Sequence, residues 1–161
     1  MGPAMTIRFT RGRNGKAPAL TCIRDDGSVA WQRSSEYFVR HDLIHYAIET
    51  ALGYRKAFLG LVAGGRDLDD FGTREHAKDT YTDEEIWAEH IAAAIQFPSA
   101  AGGPPASDAE VVAYVHKACV DRGQTPPAIT TEQTAAIRRR IGELHDQWRR
   151  LPAGETLELI F

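Results

Sequence analysis

The stretch FVRHDLIHYAIETALG, residues 38–53, constrains the fold more than any other part of the chain. Its apolar residues recur at helical spacing. At about 100° per residue, Leu43, Ile44, Ala47, Ile48 and Ala51 cover one broad arc. Val39 and Tyr46 extend that arc and Leu52 lies beyond it, with Arg40 and Thr50 as polar exceptions. His41, Asp42, His45 and Glu49 share the remaining stripe, about 100° wide. A helix apolar around most of its girth is central in its domain. Its polar stripe therefore faces an internal cleft rather than bulk water. A buried carboxylate without a partner costs about several kcal/mol, so the cleft must pair these groups or keep them neutral.

Three arrangements meet that demand: a metal site, a hydrogen-bonded network, or an acid–base dyad. The metal site has the best geometry. His41 and His45 are one turn apart, with Cβ atoms about 5–6 Å from each other. Two imidazoles so placed can converge on one ion at about 2.0–2.1 Å per nitrogen. The spacing is that of the HExxH metalloproteases, in which the intervening glutamate is the general base. Here Asp42 stands in that place, one methylene shorter, as a water-orienting base or an extra ligand. Glu49 lies about 12 Å along the axis from His41, too far to share its ion. It is one turn beyond His45 and suits a bond to that imidazole. Asp42 and Glu49 are thus the candidate catalytic carboxylates, Glu49 acting through His45.

A third ligand must come from another segment. In the helix expected after TDEE, the residues Ile86, Trp87, His90, Ala93, Ala94 and Phe97 share a face, with His90 at its centre. Glu85, Glu89 and Gln96 lie opposite. The wheel favours His90 as third ligand, with Glu89 as runner-up. His76, beside an acidic loop, is a weaker candidate. His116 and His145 fall at the edges of amphipathic stripes and read as surface groups.

The remaining segments indicate an α+β domain. TIRFT alternates, PALTCIR and SVAWQR flank the hairpin signal DDG, and TLELIF alternates again at the end. These predict a small antiparallel sheet of three N-terminal strands joined by the C-terminal strand, packed with about five helices. The first helix is expected from Tyr37 to Leu52, stopping at Gly53. A second is expected from Tyr54 to Ala63. Thr82–Glu85, Ser107–Glu110 and Thr130–Gln133 have capping-box spacing and open three more. Ile137, Ile141, Leu144, Trp148 and Leu151 form one stripe of the last helix, and the arginines Arg138–Arg140, Arg149 and Arg150 lie off it on a solvated face. Residues 5–161 read as one domain, with 98–106, PSAAGGPPA, as a flexible linker inside it. MGPA, residues 1–4, reads as a cloning remnant ahead of Met5.

The 161 residues suffice for a core, and a charge of −3 argues against a dedicated nucleic-acid binder. Residues 1–40 carry seven basic and three acidic groups, whereas 41–100 carry five and eleven. The basic RFTRGRNGK reads as a solvated strand and loop. Cys22 and Cys119 are far apart, outside any CxxC, and on apolar stripes, which predicts buried free thiols. No apolar run approaches a membrane span and no signal peptide is evident, so a cytoplasmic location is expected. The chain has no Walker loop, dinucleotide fingerprint or nucleophile elbow, so a small-molecule partner has no sequence-level identity, and oligomeric state is open.

HDLIHY, followed by FLGLVAGG and a terminal W…LPAGETLEL, resembles a group of small bacterial proteins of uncharacterised function. The resemblance covers most of the chain and implies no activity. His41, Asp42 and His45 are also similar to the HDxxH of a ubiquinone-biosynthesis family. That family binds zinc there together with a glutamate twelve residues further on, a position that is Ala57 here. The adjacent His41–Asp42 pair resembles that of the HD-domain phosphohydrolases, which use it for metal. They need another histidine on an earlier helix, and none precedes His41. The residues together predict a site for zinc or a similar divalent ion on His41 and His45, serving metal-assisted hydrolysis or lyase chemistry. The alternative is a structural or interaction protein with a buried histidine–carboxylate network.

Overall fold

The computed structural model describes residues 2–71, 81–96 and 107–161. The expected linker at 98–106, and His76, lie outside the described residues. Four strands form one antiparallel sheet: β1 (Met5–Thr10), β2 (Ala19–Arg24), β3 (Val29–Arg33) and β4 (Thr156–Ile160), in the order β3-β2-β1-β4. The β2–β3 hairpin turns at Gly27, whose φ of 83° suits a residue without Cβ. Among the described residues five α-helices complete the α+β fold: α1 (Glu36–Leu52), α2 (Phe58–Ala63), α3 (Asp83–Gln96), α4 (Asp108–Val120) and α5 (Thr131–Arg150).

Alternation along the strands sends one set of side chains inward. Ile7 pairs with Cys22 and Leu159, and Phe9 pairs with Leu20 and Leu157. Ile7, Phe9, Leu20 and Cys22 are wholly buried. Met5 and Phe161 exchange two backbone hydrogen bonds, which ties the C-terminus to the first strand. Cys22 and Cys119 are both free and buried, and burial pushes the Cys22 thiol up to about 12.

Helix α1 is the central element the sequence demanded. It packs against α5, α3 and α2. Ser35 caps it by accepting from the Phe38 amide, and Gly53 ends it in the left-handed conformation. Tyr46 donates to the Ile160 carbonyl at 2.8 Å, so the helix is bonded to the sheet. Helix α5 buries Ile137, Ile141, Leu144 and Trp148. The Trp148 indole donates to Glu36 at the start of α1. The capping boxes at Ser107/Glu110 and Thr130/Gln133 form as expected, and Thr82 and Glu85 exchange the same pair of bonds.

Two expectations need correction. The second helix begins at Phe58, not Tyr54. Glu84 explains the delay: its carboxylate accepts from the Arg55 and Lys56 amides, holding them in the bend that precedes the helix. The face of α3 that packs inward is Ala88, Ile91, Ala92 and Ala94 with Glu85, and not the face centred on His90. Ile86, Trp87 and His90 are only half-buried. Alanine on several sides of this helix made the larger Ile86 and Trp87 dominate the wheel, whereas the alanine side allows closer approach to neighbouring helices.

Candidate metal centre

Helix α1 presents His41 and His45 toward α3, and α3 presents Glu89 toward them. One ligand atom from each of the three lies within 4.8 Å of the others. The two Nε2 atoms are 3.2 Å apart. Glu89 places Oε1 2.9 Å from His45 Nε2 and Oε2 3.9 Å from His41 Nε2. Two donors bound tetrahedrally to zinc at about 2.0–2.1 Å lie about 3.3 Å apart. The separations bracket that edge, so this cluster could hold a metal ion. The donor chemistry agrees. A single proton on His45 Nε2 cannot serve both His41 Nε2 and Glu89, whereas one cation can accept lone pairs from all three.

The far side of each imidazole is also engaged. His41 Nδ1 is 3.0 Å from Gln96 Oε1, and an Nδ1–H donated there leaves the Nε2 lone pair for a cation. His45 Nδ1 faces Glu49 Oε2 at 3.5 Å, a charge contact too long for a good hydrogen bond. Glu49 is held in turn by α2. Its carboxylate accepts from the Gly60 amide at 3.1 Å and the Leu59 amide at 3.3 Å. Those amides belong to the first turn of α2, where no side chain at Ala57 caps the helix. A 1 % exposed carboxylate thus caps one helix from inside another. Gly60 lets the Arg55 backbone fold closely against this turn, because a Cβ there would stand 2.3 Å from the Arg55 carbonyl.

Charge follows from this packing. Burial alone depresses the His45 imidazolium, but Glu49 and Glu89 on its two sides outweigh that and push it up to about 10. Partial desolvation raises the Glu89 carboxyl. The hydrogen bond from His45 and the charges of His45, His41 and His90 more than offset it and leave Glu89 below the usual carboxylate range. The Glu89 side chain is 62 % exposed along its length, with its oxygens turned onto the imidazoles. Asp42 is buried beside them. Burial pushes its carboxyl up to about 7; His45 opposes the rise, and Glu49 and Glu89 add to it.

The cluster lies on the wall of a cavity of about 1200 Å3, which Asp42 and His90 also line. The structure therefore brings His41, His45 and Glu89 together, places Glu49 behind His45, and sets Asp42 alongside. His90, first choice from the wheel, is not among the clustered ligand atoms. It is one residue, about 100°, around α3 from Glu89. Its Nε2 is buried and has no hydrogen-bond partner among the described residues. His116 is exposed, and His145 is half-buried with Nε2 3.0 Å from the Arg40 carbonyl.

Sequence reasoning missed Gln96 as the partner of His41. Its signal was present: Glu85, Glu89 and Gln96 form a narrow polar stripe on α3, the counterpart of the stripe on α1. No helix among the described residues is long and apolar enough to cross a membrane. Comparison of the chain with protein-family models, with curated proteins and with solved structures finds no match.

Proposed function

We propose that this chain binds one divalent metal ion, zinc or a similar ion, through His41 Nε2, His45 Nε2 and a Glu89 carboxylate oxygen. We propose further that the centre serves hydrolysis or lyase chemistry on a small molecule held in the adjoining cavity. The convergence of three ligand atoms within 4.8 Å of one another on the cavity wall carries this reading. Two histidines and a glutamate are a zinc set that leaves a fourth position open. When bound, such an ion supplies Lewis-acid polarisation of a carbonyl or phosphoryl oxygen. Asp42 is the base in this reading. A carboxyl raised to about 7 takes up a proton near neutral pH, from water in hydrolysis or from carbon in elimination. Glu49 is a positioning residue, because its oxygens are engaged by two amides and by His45. The similarity of HDLIH to the zinc-binding HDxxH pattern supports the same reading, with Glu89 as the carboxylate that Ala57 cannot supply.

The test is metal content of protein purified without a metal-affinity column, followed by competition titration against a chromophoric chelator. About one equivalent of zinc is expected, lost in His45→Ala. Negligible affinity in a protein that melts cooperatively refutes the metal reading. A second reading draws on one observation: His45 lies between two carboxylates and is held as a cation without any metal. In that reading the cluster is a structural ion network. It requires a wild-type melting temperature indifferent to chelator and lowered by His45→Ala; the metal reading requires a chelator-sensitive one.

A further inference from the structure

Two arginines line the same cavity from opposite parts of the chain, Arg33 at the end of β3 and Arg122 after α4. Each side chain donates to a backbone carbonyl, Arg33 to Ala17 at 3.2 Å and Arg122 to Ala118 at 3.0 Å. Among the described residues neither has a carboxylate within salt-bridge distance, although the chain has more acidic than basic groups. Other arginines do find acids: Arg8 pairs with Glu158, Arg66 with Glu85 and Arg138 with Asp108. Guanidinium groups left over on a concave wall are the usual means of holding a carboxylate or phosphate.

A second observation points the same way. Ser34 Oγ, His90 Nε2 and Gln124 Oε1 are buried atoms without a hydrogen-bond partner among the described residues, and all three residues line this cavity. They come from three separate parts of the chain, so no single local distortion accounts for them. Each unpaired atom costs about 1–3 kcal/mol. Phe38, Phe58 and Phe71 supply an apolar bed, while the carboxylates that line the cavity are Asp42, Asp69, Glu85 and Glu89, two of them engaged by Arg66 and by the imidazoles. Phe58 also stacks edge-on against the His45 ring, with centroids 5.8 Å apart, which joins that bed to the metal cluster.

We infer that the cavity binds an organic anion. Its carboxylate or phosphate head is held by Arg33 and Arg122, with Ser34, His90 and Gln124 completing its hydrogen bonds. Its apolar body lies on the phenylalanines, directed toward His41, His45 and Glu89. The choice of substrate class rests on the proposed metal centre only for where the reacting bond lies. The anion pocket stands on its own residues.

The test separates the two. Phenyl phosphate, benzoate and the neutral benzyl alcohol are titrated into zinc-loaded and into chelator-treated full-length protein, with binding read from amide chemical shifts. The expected result is that phenyl phosphate, benzoate or both bind and benzyl alcohol binds at least about tenfold more weakly, a factor of ten being about 1.4 kcal/mol. Whichever anion binds tighter identifies the head group. Arg33→Gln/Arg122→Gln should weaken the anions at least about tenfold and leave zinc affinity unchanged. Arg33→Lys/Arg122→Lys should recover part of the loss, and melting curves confirm that all variants fold. Anion binding that persists with chelator, in a protein that takes no zinc, leaves the pocket standing and removes the metal centre. Anion binding only to zinc-loaded protein and indifferent to both arginines assigns the anion to the metal alone and overturns the pocket. Equal binding of benzyl alcohol, or binding of none of the three, overturns it too.

Discussion

Replacing Glu49 by Gln tests the link between the cluster and the fold. The substitution keeps shape and volume, so packing is constant. At present one oxygen accepts from the Gly60 amide at 3.1 Å, and the other accepts from Leu59 at 3.3 Å and faces His45 Nδ1 at 3.5 Å. A glutamine keeps one acceptor. Whichever way its amide is turned, an NH2 meets a backbone N–H, and one buried donor in the first turn of α2 is left without a partner. That costs about 1–3 kcal/mol. The surviving bond changes from charge-assisted to neutral, a further loss of about 1 kcal/mol. The sum is about 2–4 kcal/mol. At about 2–4 °C per kcal/mol for a chain of this size, the melting temperature should fall by about 4–16 °C. Urea denaturation of chelator-treated protein gives the free energy directly, and an unchanged m-value shows that the same surface is exposed. Hydrogen exchange adds the local readout: the Leu59 and Gly60 amides should exchange faster relative to the rest of the core. A loss below about 0.5 kcal/mol, with those two amides still protected, would refute the inference that Glu49 caps α2.

Gly60→Ala should destabilise by about 1–3 kcal/mol, since its Cβ would meet the Arg55 backbone at 2.3 Å; an unchanged urea midpoint would contradict the close approach. Asp42 gives a pH dependence in metal-free protein. Its folded value of about 7 lies above the ordinary 3.8 of an aspartate, so the native state holds a proton that the unfolded chain has released. Stability should therefore fall as pH rises from about 4 to about 7, by at most about 4 kcal/mol, and Asp42→Asn should flatten that slope in urea titrations at stepped pH. Zinc binding at pH 7.5 should expel the proton that His45 retains up to about 10; calorimetry in buffers of different ionisation enthalpy should show release of about one proton, and a buffer-independent heat would contradict it.

Much of this was legible because period and punctuation agree along most of the chain. The alternation of β1, β2 and β4, the turn at Gly27, the stop at Gly53 and the capping boxes of α4 and α5 are all local signals, and each appears where the residues place it. The central position of α1 was legible from the breadth of its apolar arc. What failed was information carried by partners distant in sequence. Glu84 sets the start of α2 from 28 residues away, and a wheel of residues 54–63 contains no trace of it. The orientation of α3 depends on which side has alanines small enough to approach its neighbours, and side-chain size misled the wheel. That error exchanged His90 for Glu89 as the residue beside the two imidazoles.

The arrangement explains why a core-building helix carries four titratable groups. His41 and His45 are needed on the cavity side, and their neighbours serve them in different ways. Glu49 lies one turn deeper, where it holds His45 and caps α2 at the same time, so its burial is offset by two amides and a cation. Asp42 has no such partners among the described residues and meets the cost of burial by holding a proton until about pH 7. The two carboxylates of one helix are thus separated in character by what packs against them: one is held by backbone donors, and the other is left able to exchange a proton beside the cluster. A purely structural network has no use for the second kind, because a neutral amide at position 42 would satisfy the same space at lower cost. In the metal reading proposed above, this carboxyl stands next to three converging ligand atoms, where it would act as the base.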